Sequence, residues 1–436
     1  MRRKSRQRLR PHRADAPLAK RLAPAYKRHM NDAHDTSEIL IVGTGAAGLT
    51  ASIALARAGW AVTIVGSIDT APSARTVALF DGSLRLLANL GLVERLRPHF
   101  AALETMRIVD DTGSLFRIPP VEFRASEIGL DVFGENIENA ILVEQLAEAA
   151  HATPGVTLIE GRVGKVELRD DHGSVTMDDG RTFTARLLVA ADGRKSRLRA
   201  GARIGTREWA YPQVALTAIL RHERPHRDTS TEFHTRQGPF TLVPLPGRPG
   251  APHRSSLVWM MSPGEARRRQ ALDDTLFARD IQRQAHFLLG GMTLEGPRGA
   301  FPMSGLSASQ LSAHRVVLIG DAAHGFPPIG AQGLNLGMRD VAHLGDCLTH
   351  GSDPGSPEGL ARYEAARQTD IRVRTLGVDM LNRSLLNGLL PVDALRGVGL
   401  LALANIAPLR RAVMREGVMP RGSVPSLMRL HGTKSL

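Results

Sequence analysis

The chain contains a single cysteine, Cys347, so no disulfide can form within it, and a reducing compartment is its natural setting. It lacks any apolar run near the roughly 18 residues that a spanning helix needs. The longest such stretch, Val398–Leu409 (VGLLALANIAPL), is too short and is broken by Pro408. There is no GxSxG elbow or Ser/His/Asp triad, and no HExxH or paired-cysteine spacing, which removes the usual hydrolase and zinc-site signatures. Acidic residues are almost missing from one place. Residues 1–29 hold eleven Lys/Arg and only one acid, Asp15, so this arm carries +10 of the formal +13. The rest of the chain is only mildly basic, and no nucleic-acid partner is expected for it.

Residues 1–36 read as a basic, disordered arm, with prolines at 11, 17 and 24 and little apolar periodicity. Three readings of the arm stay open: a tail for an anionic membrane or nucleic acid, an organelle-targeting segment, or a stretch upstream of a start at Met30. The whole chain of 436 residues, with 42% apolar and 23% charged, has an ordinary globular composition and is large enough for two domains.

What is present is glycine in particular places. The apolar run Ile39–Val42 meets Gly43-Thr44-Gly45-Ala46-Ala47-Gly48, then a helical pattern to Gly59, then the apolar run Ala61–Val65. Strand, glycine turn, helix and strand within some 30 residues is the context that makes GxGxxG a dinucleotide signature. Gly43 permits the tight turn, Gly45 admits a diphosphate to the backbone, and Gly48 lets helix and strand pack. The helix opening at Ala46 and Ala47 offers amide donors to the phosphates. The plain alternative is a glycine turn with no ligand. The acid usually found at the end of the second strand, for a ribose hydroxyl, is absent: Gly66 and Ser67 stand there. No second GxGxxG exists for a pyridine nucleotide.

Two later strands end in similar punctuation. Leu187–Ala191 delivers Asp192-Gly193-Arg194-Lys195-Ser196-Arg197-Leu198-Arg199, and Val316–Ile319 delivers Gly320-Asp321-Ala322-Ala323-His324. Together the three motifs, in this order, resemble those of the flavin-dependent aromatic hydroxylases, single-component FAD monooxygenases of the hydroxybenzoate-hydroxylase fold. Segments such as "ARTVALFDGSLRLLANLGL" (74–92), "GENIENAILVEQL" (134–146) and "GLNLGMRDVAHLGDCL" (333–348) are similar to the ubiquinone-biosynthesis branch, and the likeness spans about residues 37–420.

That resemblance implies FAD as cofactor and NAD(P)H as co-substrate, with dioxygen as oxidant and a polyprenylated phenol or benzoquinol as the aromatic substrate. It implies that Gly43, Gly45 and Gly48 cradle the diphosphate and that Arg75 lies along the cofactor. Asn139 would sit near the ribityl chain, and Asp192 and Gly193 would serve a turn shared by FAD and NAD(P)H. Asp321, beside Gly320, would bind a ribityl or ribose hydroxyl, and Pro328, Gly333 and Asn335 would border the flavin ring. Blander roles stand beside these: Asp321 as a turn cap, Arg75 as a solvated surface residue, His324 as a structural hydrogen-bonding group. The order Gly330-Ala331 departs from the Ala-Gly order common in that branch.

The expected fold is α/β, a discontinuous Rossmann-like FAD-binding domain with an inserted β-sheet substrate domain and C-terminal helices. The FAD domain is assigned about 37–80, 135–200 and 300–360, the insertions about 81–134 and 201–299, and the helical region 361–436. A cytoplasmic protein is expected, peripheral at the inner membrane or held in a biosynthetic assembly, because a long polyprenyl tail is insoluble in water. Val398–Leu409 with Arg396, Arg410, Arg411 and Arg415 is the expected attachment segment, with buried core or a dimer interface as the alternative. Two other functions remain in view: hydroxylation of a small soluble aromatic or secondary metabolite, and nucleic-acid or membrane binding through the arm alone.

Overall fold

The computed structural model describes residues 34–113, 119–327, 330–386, 399, 401–418 and 424–429. Residues 1–33 of the basic arm, Pro328, Pro391, Arg396 and Pro420 lie outside the described residues.

The first sheet is built on parallel strands in the order β18 (Val316–Leu318), β11 (Thr182–Ala190), β1 (His34–Val42), β2 (Val62–Gly66), β8 (Val156–Glu160). β17 (Ser312–Ala313) closes one edge, and a hairpin of β9 (Val163–Leu168) and β10 (Gly173–Met177) pairs antiparallel to β11. The central strands read as unbroken apolar runs because helices cover them: Ile39, Leu40, Ile41, Leu187, Leu188 and Val189 are all fully buried. Helix α1 (Ala46–Arg57) connects β1 to β2, and α3 (Asn139–Ala152) leads into β8; α2 is Asp81–Asn89. α2 carries Leu84, Leu86 and Leu87 into this same core. It therefore belongs to the first domain rather than to the insertion assigned at 81–134.

A small sheet of β3 (Thr76–Phe80), β7 (Gly134–Glu138) and β4 (Ala101–Leu103) carries the chain to the second large sheet. That sheet runs β19 (His324–Gly325), β16 (Met292–Ala308), β12 (Thr206–His222), β15 (Arg254–Met261), β14 (Gly238–Leu245), β13 (Thr229–Thr235), β5 (Thr105–Asp110), β6 (Val121–Arg124). Both inserted segments thus contribute to one sheet. The boundary assigned at 299/300 falls inside β16, which continues to Ala308. Its Gly296 and Pro297 sit where the register with β12 shifts, in a bulge, while Gly299 and Pro302 pair with Thr217 and Val214.

Helices α4 (Pro263–Gln270) and α5 (Asp274–Gln284) pack on one face of this sheet through Ala266, Phe277 and Ile281. The sheet is tied to β7 by a fully buried arginine. Arg254 meets Glu138 at 2.9 Å and Glu295 at 2.6 Å, and donates to the Pro246 carbonyl at 3.0 Å. Helices α6 (Gln332–Cys347) and α7 (Pro357–Leu386) follow, so the C-terminal helical region begins four residues before position 361. α8 (Ala407–Val418) seats Met414 and Val418 against Phe80, Val121 and Phe133.

Candidate functional site

β1, β11 and β18 are adjacent and parallel, so their C-terminal ends open onto one edge of the sheet. This edge adjoins the switch point where the connections from β1 diverge, the place where open α/β sheets bind ligands. The three sequence motifs meet there. Gly43 donates its N–H to the Val65 carbonyl at 2.8 Å, Ala191 to Val42 at 2.8 Å, and Ile319 to Ala190 at 2.9 Å.

The first turn is sterically specified. Gly43 has φ +116°, and a Cβ there would lie 2.2 Å from the Ala191 carbonyl oxygen. A Cβ on Gly48 would lie 2.0 Å from the Gly43 oxygen. Gly45 is different: no heavy atom lies within 4 Å of its would-be Cβ. It caps α1 with no side-chain hydrogen bond and no acid in the first turn, which leaves the amides around Ala46 and Ala47 to an anion.

The second turn splits one carboxylate between two duties. Asp192 Oδ2 accepts from the N–H groups of Arg197 (2.7 Å) and Leu198 (3.3 Å), while Oδ1 is buried with no partner among the described residues. Gly193, at φ +79°, has open space beside it. Ser196 caps the following short helix by accepting from Arg199 N–H at 2.9 Å. Arg199, itself buried, donates to the Ala322 carbonyl (2.8 Å) and the Arg194 carbonyl (2.7 Å), which welds the second turn to the third.

In the third turn Gly320 takes φ +58°, and Asp321 is exposed with no hydrogen-bond partner among the described residues. The turn-cap alternative for Asp321 is therefore not observed. Beneath it lies a group of charges that the sequence reading passed over. Fully buried Asp340 accepts from Gly320 N–H (2.8 Å), His324 Nε2 (2.6 Å) and Arg367 Nε (2.7 Å). Burial works to raise the Asp340 pKa, but His324, Arg367 and the Gly320 amide outweigh it and hold the group below the usual carboxylate range. Arg367 also pairs with Asp370 at 2.6 Å, and Asp370 pairs with Arg339. His324 is thus a structural hydrogen-bonding residue, as its plainer reading had it. Gly337 was also missed: its would-be Cβ comes 3.2 Å from Gly320 Cα, so α6 packs directly on the turn.

The flavin-ring candidates are placed less uniformly. Gly333 lies in the first turn of α6 with open space beside it. Asn335 is buried and saturated: its oxygen accepts from Phe80 N–H and Ser83 hydroxyl, and its amide donates to the Ala78 and Ala331 carbonyls. Its side chain fixes the loop and offers nothing further to a ligand. Ala331 sits at φ +51°, a left-handed position that glycine fills more cheaply by about 1 kcal/mol. Here the Gly330-Ala331 order has a physical consequence. Arg75 and Asn139 come together, Asn139 N–H donating to the Arg75 carbonyl at 2.9 Å. The exposed Arg75 guanidinium leans on Phe301 of β16, 5.0 Å from the ring centroid.

Gly66, where an acid was expected, explains its own absence. A Cβ there would stand 2.7 Å from Thr44 Oγ1 and 2.9 Å from Thr44 N. The second residue of the glycine turn occupies that space. Accordingly Gly66→Glu is expected to lower FAD affinity roughly tenfold or more instead of adding a ribose contact, with Thr44→Gly relieving part of the loss. Flavin titration of the single and double variants checks this.

The residues fit a dinucleotide with a flavin. Three glycines face open space along one edge, a buried carboxylate oxygen and an exposed carboxylate both lack partners among the described residues, and the opening helix has no side-chain cap. Beside the third turn, Phe326 and Trp209 pack against a buried cluster of Tyr211, Met260 and Met303 of the second sheet and Val378 of α7. This apolar patch is where an aromatic ring would be covered. A separate cavity of about 300 Å³, lined by Arg107, Arg224, His226, Arg227 and Ser255, includes none of the three turns.

Known proteins agree with this geometry. Residues 36–373 match the family described as FAD binding domain. Ubiquinone hydroxylase UbiL of Rhodospirillum rubrum is 35% identical over 413 residues, covering 91% of this chain and 94% of that protein. The 3-demethoxyubiquinol 3-hydroxylase of Escherichia coli is 31% identical over 395 residues, covering 87% and 97%. Among solved structures, p-nitrophenol 4-monooxygenase PnpA of Pseudomonas putida superposes with a TM-score of 0.75 over 89% of this chain and 99% of that one, at 18% identity. HpxO of Klebsiella pneumoniae, complexed with FAD and uric acid, gives 0.72 over 89% and 98%, also at 18% identity.

Proposed function

The chain belongs to the FAD binding domain family, and from that premise we propose that it is an FAD-dependent aromatic hydroxylase of ubiquinone biosynthesis. It uses NAD(P)H and dioxygen on the ring of a polyprenylated phenol or benzoquinol. The observation that carries the flavin reading is the convergence of Gly45, Asp192 and Asp321 on the ends of three neighbouring parallel strands. The pathway reading rests on the extent of similarity to the two ubiquinone-pathway hydroxylases.

FAD, once bound and reduced, supplies the chemistry that activates dioxygen for transfer to an electron-rich ring. The protein's part is binding, orientation and the exclusion of water. Gly45 and the first amides of α1 would hold the diphosphate, Asp321 would accept from a ribityl or ribose hydroxyl, and Gly333, with open space beside it, would leave the α6 backbone accessible to the ring. Phe326, Tyr211, Met260 and Met303 form the apolar cover that keeps water from the reacting atoms. Tyr211 is held by its own bonds, donating to Asp379 and accepting from Trp209 Nε1, both at 2.6 Å, so it orients the cover.

With a tail insoluble in water, the substrate is met at the cytoplasmic face of a membrane or in an assembly. No helix among the described residues is long and apolar enough to cross a bilayer. The test is lipid extraction from a strain lacking the gene, with mass spectrometry of the quinone pool. A precursor short of one ring oxygen is expected. Normal quinone in that strain, or purified protein that takes up no FAD, would overturn the proposal. NADPH oxidation driven by a small soluble phenol with stoichiometric hydroxylated product would move the substrate class instead.

A further inference from the structure

The cavity of about 300 Å³ that stands apart from the three turns is built into the second sheet, and register fixes the face on which it opens. Arg107 of β5, Thr231 of β13 and Leu242 of β14 stand opposite one another in one row, and Leu242 pairs in turn with Leu257. Leu242 and Leu257 pack with Phe277 and Ile281 of α5, so this row looks toward the helices. Ser255 stands opposite Leu220, another member of that cluster. Ser256 and Met260 point the other way, Ser256 meeting Thr76 of β3 at 2.9 Å and Met260 joining the apolar cover beside the third turn. The cavity thus lies on the far side of the sheet from the three turns, and a flavin does not account for it.

The base of the cavity is buried. Thr231, Leu242 and Ser255 are each no more than 2% exposed, and Leu288 and Leu289 join them in the lining. The hydroxyls there are not equivalent. His222 Nδ1 lies 2.8 Å from the Arg224 carbonyl, which can only accept, so this nitrogen carries the ring proton and Nε2 accepts from Ser255 at 3.0 Å. Burial lowers the His222 pKa and so keeps the ring neutral in that arrangement. Thr229 donates to the Arg227 carbonyl at 3.0 Å. Thr231 is left, lining the cavity with no hydrogen-bond partner among the described residues.

The rim is cationic. Arg224 and Arg227 are exposed and meet no carboxylate among the described residues; Arg224 donates to the Phe287 carbonyl at 3.3 Å. The acids nearby are engaged: Glu122 pairs with Arg107 at 2.8 Å, Asp228 stands 3.7 Å from His226, and Glu223 accepts from Gly291 N–H at 2.9 Å. The two loops that wall the cavity also hold unusual backbone. Of seven non-glycine residues with left-handed φ among the described residues, four are the consecutive pairs Arg227-Asp228 and His286-Phe287. Such strain persists only where the surroundings hold it, and it gathers at ligand clamps.

We propose that this cavity binds a small organic anion, its phosphate or carboxylate held by Arg224, Arg227 and the Thr231 hydroxyl, its apolar body laid on Leu242, Leu288 and Leu289. A guanidinium fork matches either head group. A neutral ligand would leave both arginines unpaired, and an inorganic anion would leave the leucines facing water. The volume lies at the small end of the range for small-molecule sites, about 300–1,000 Å³.

The experiment is titration calorimetry of the FAD-loaded, full-length protein with phenyl phosphate, benzoate, benzyl alcohol and inorganic phosphate, at low and high salt, with flavin absorbance recorded in parallel. At least one aromatic anion is expected to bind without moving the flavin spectrum, about tenfold or more tighter than benzyl alcohol or inorganic phosphate, and less tightly at high salt. The better of the two identifies the head group. Arg224→Ala/Arg227→Ala removes exposed side chains, and Thr231→Val removes a hydroxyl with no partner to lose. Each should weaken binding about tenfold or more while FAD content and thermal midpoint hold. Four results overturn the proposal: neither aromatic anion binds, benzyl alcohol binds as tightly, inorganic phosphate binds as tightly, or both variants bind as the wild type does. In the last case a shift of the flavin spectrum would place the anion on the other face. The site is independent of the hydroxylase reading. A protein that hydroxylates its substrate but binds no anion sinks the site alone, and anion binding by a protein that hydroxylates nothing leaves the site standing.

Discussion

Gly45→Val should yield a folded, colourless protein, and Gly48→Val should yield little folded protein at all. The two glycines are three residues apart in one turn, yet the structure gives them opposite surroundings. At Gly45 an added Cβ meets no heavy atom within 4 Å beyond its chain neighbours, and the backbone there, at φ −74° and ψ 173°, suits any residue. The new side chain therefore starts into open space, at little expected cost to the apoprotein, and falls where the diphosphate would approach. A loss of FAD affinity of about a hundredfold or more, close to 3 kcal/mol, is the expected scale. At Gly48 the first added carbon already lies 2.0 Å from the Gly43 oxygen and 3.1 Å from Ala191 Cβ. Helix α1 would have to lift off the sheet, and the destabilisation should exceed the ordinary 1–3 kcal/mol of an overpacked core. Thermal midpoints of the apoproteins and flavin absorbance after reconstitution separate the two. A Gly45→Val protein that binds FAD normally would remove the diphosphate from this turn.

The contrast bears on how far the sequence could be read. Glycine spacing between apolar runs placed all three turns correctly, because a parallel strand buried on both faces is written as an unbroken apolar stretch. Strand direction then does the rest: turns that follow parallel neighbours must share an edge. What spacing cannot report is which atoms a side chain is already using. Asn335 reads as a ligand-facing amide, but all of its main hydrogen-bonding capacity goes to Phe80, Ser83, Ala78 and Ala331. Asp192 and Asp321 read alike, yet one half-caps a helix and the other has no hydrogen-bond partner among the described residues.

Domain edges were harder to read for a related reason. The prolines and glycines of residues 296–302 are punctuation in most contexts, and only pairing with β12 shows that they belong to one strand, Gly296 and Pro297 in a bulge and Gly299 and Pro302 in the ladder. The leucines of α2 have a helical period but no address, so they were grouped with the insertion that follows them. The missing acid at Gly66 was visible in the sequence, but its cause was not: it needs the third dimension to put Thr44 against it. A hint was available for Asp340, which follows Gly337 by three residues on the helix that packs on the third turn. Without the partner Arg367, from another helix, nothing in the pattern marked it.

Asp340→Asn is expected to cost this protein about 3–5 kcal/mol, because it strands Arg367, a fully buried cation, with Asp370 alone. The same change weakens the acceptor for Gly320 N–H, so FAD affinity should fall with stability. The sign of the pH dependence follows from the lowered pKa of Asp340 and of Asp370. Carboxylates with depressed folded pKa values stabilise above their unfolded value, about 4, and lose that contribution as pH falls through the folded value. The penalty of the variant should therefore be full at neutral pH and shrink below about pH 4, where the wild type loses the same interaction. A second group acts at higher pH. Burial, aided by Arg367, lowers the His343 pKa from 6.5 to about 4, so both proteins should lose stability as pH falls across that interval. Pairing Asp340→Asn with Arg367→Met removes the stranded charge and should return much of the thermal midpoint without restoring FAD affinity, since the Gly320 turn still lacks its anionic acceptor. Urea midpoints across pH and flavin titrations of the three variants measure both effects. A single variant as stable as the wild type at pH 7 would show that the buried ion pair does not hold the third turn in place.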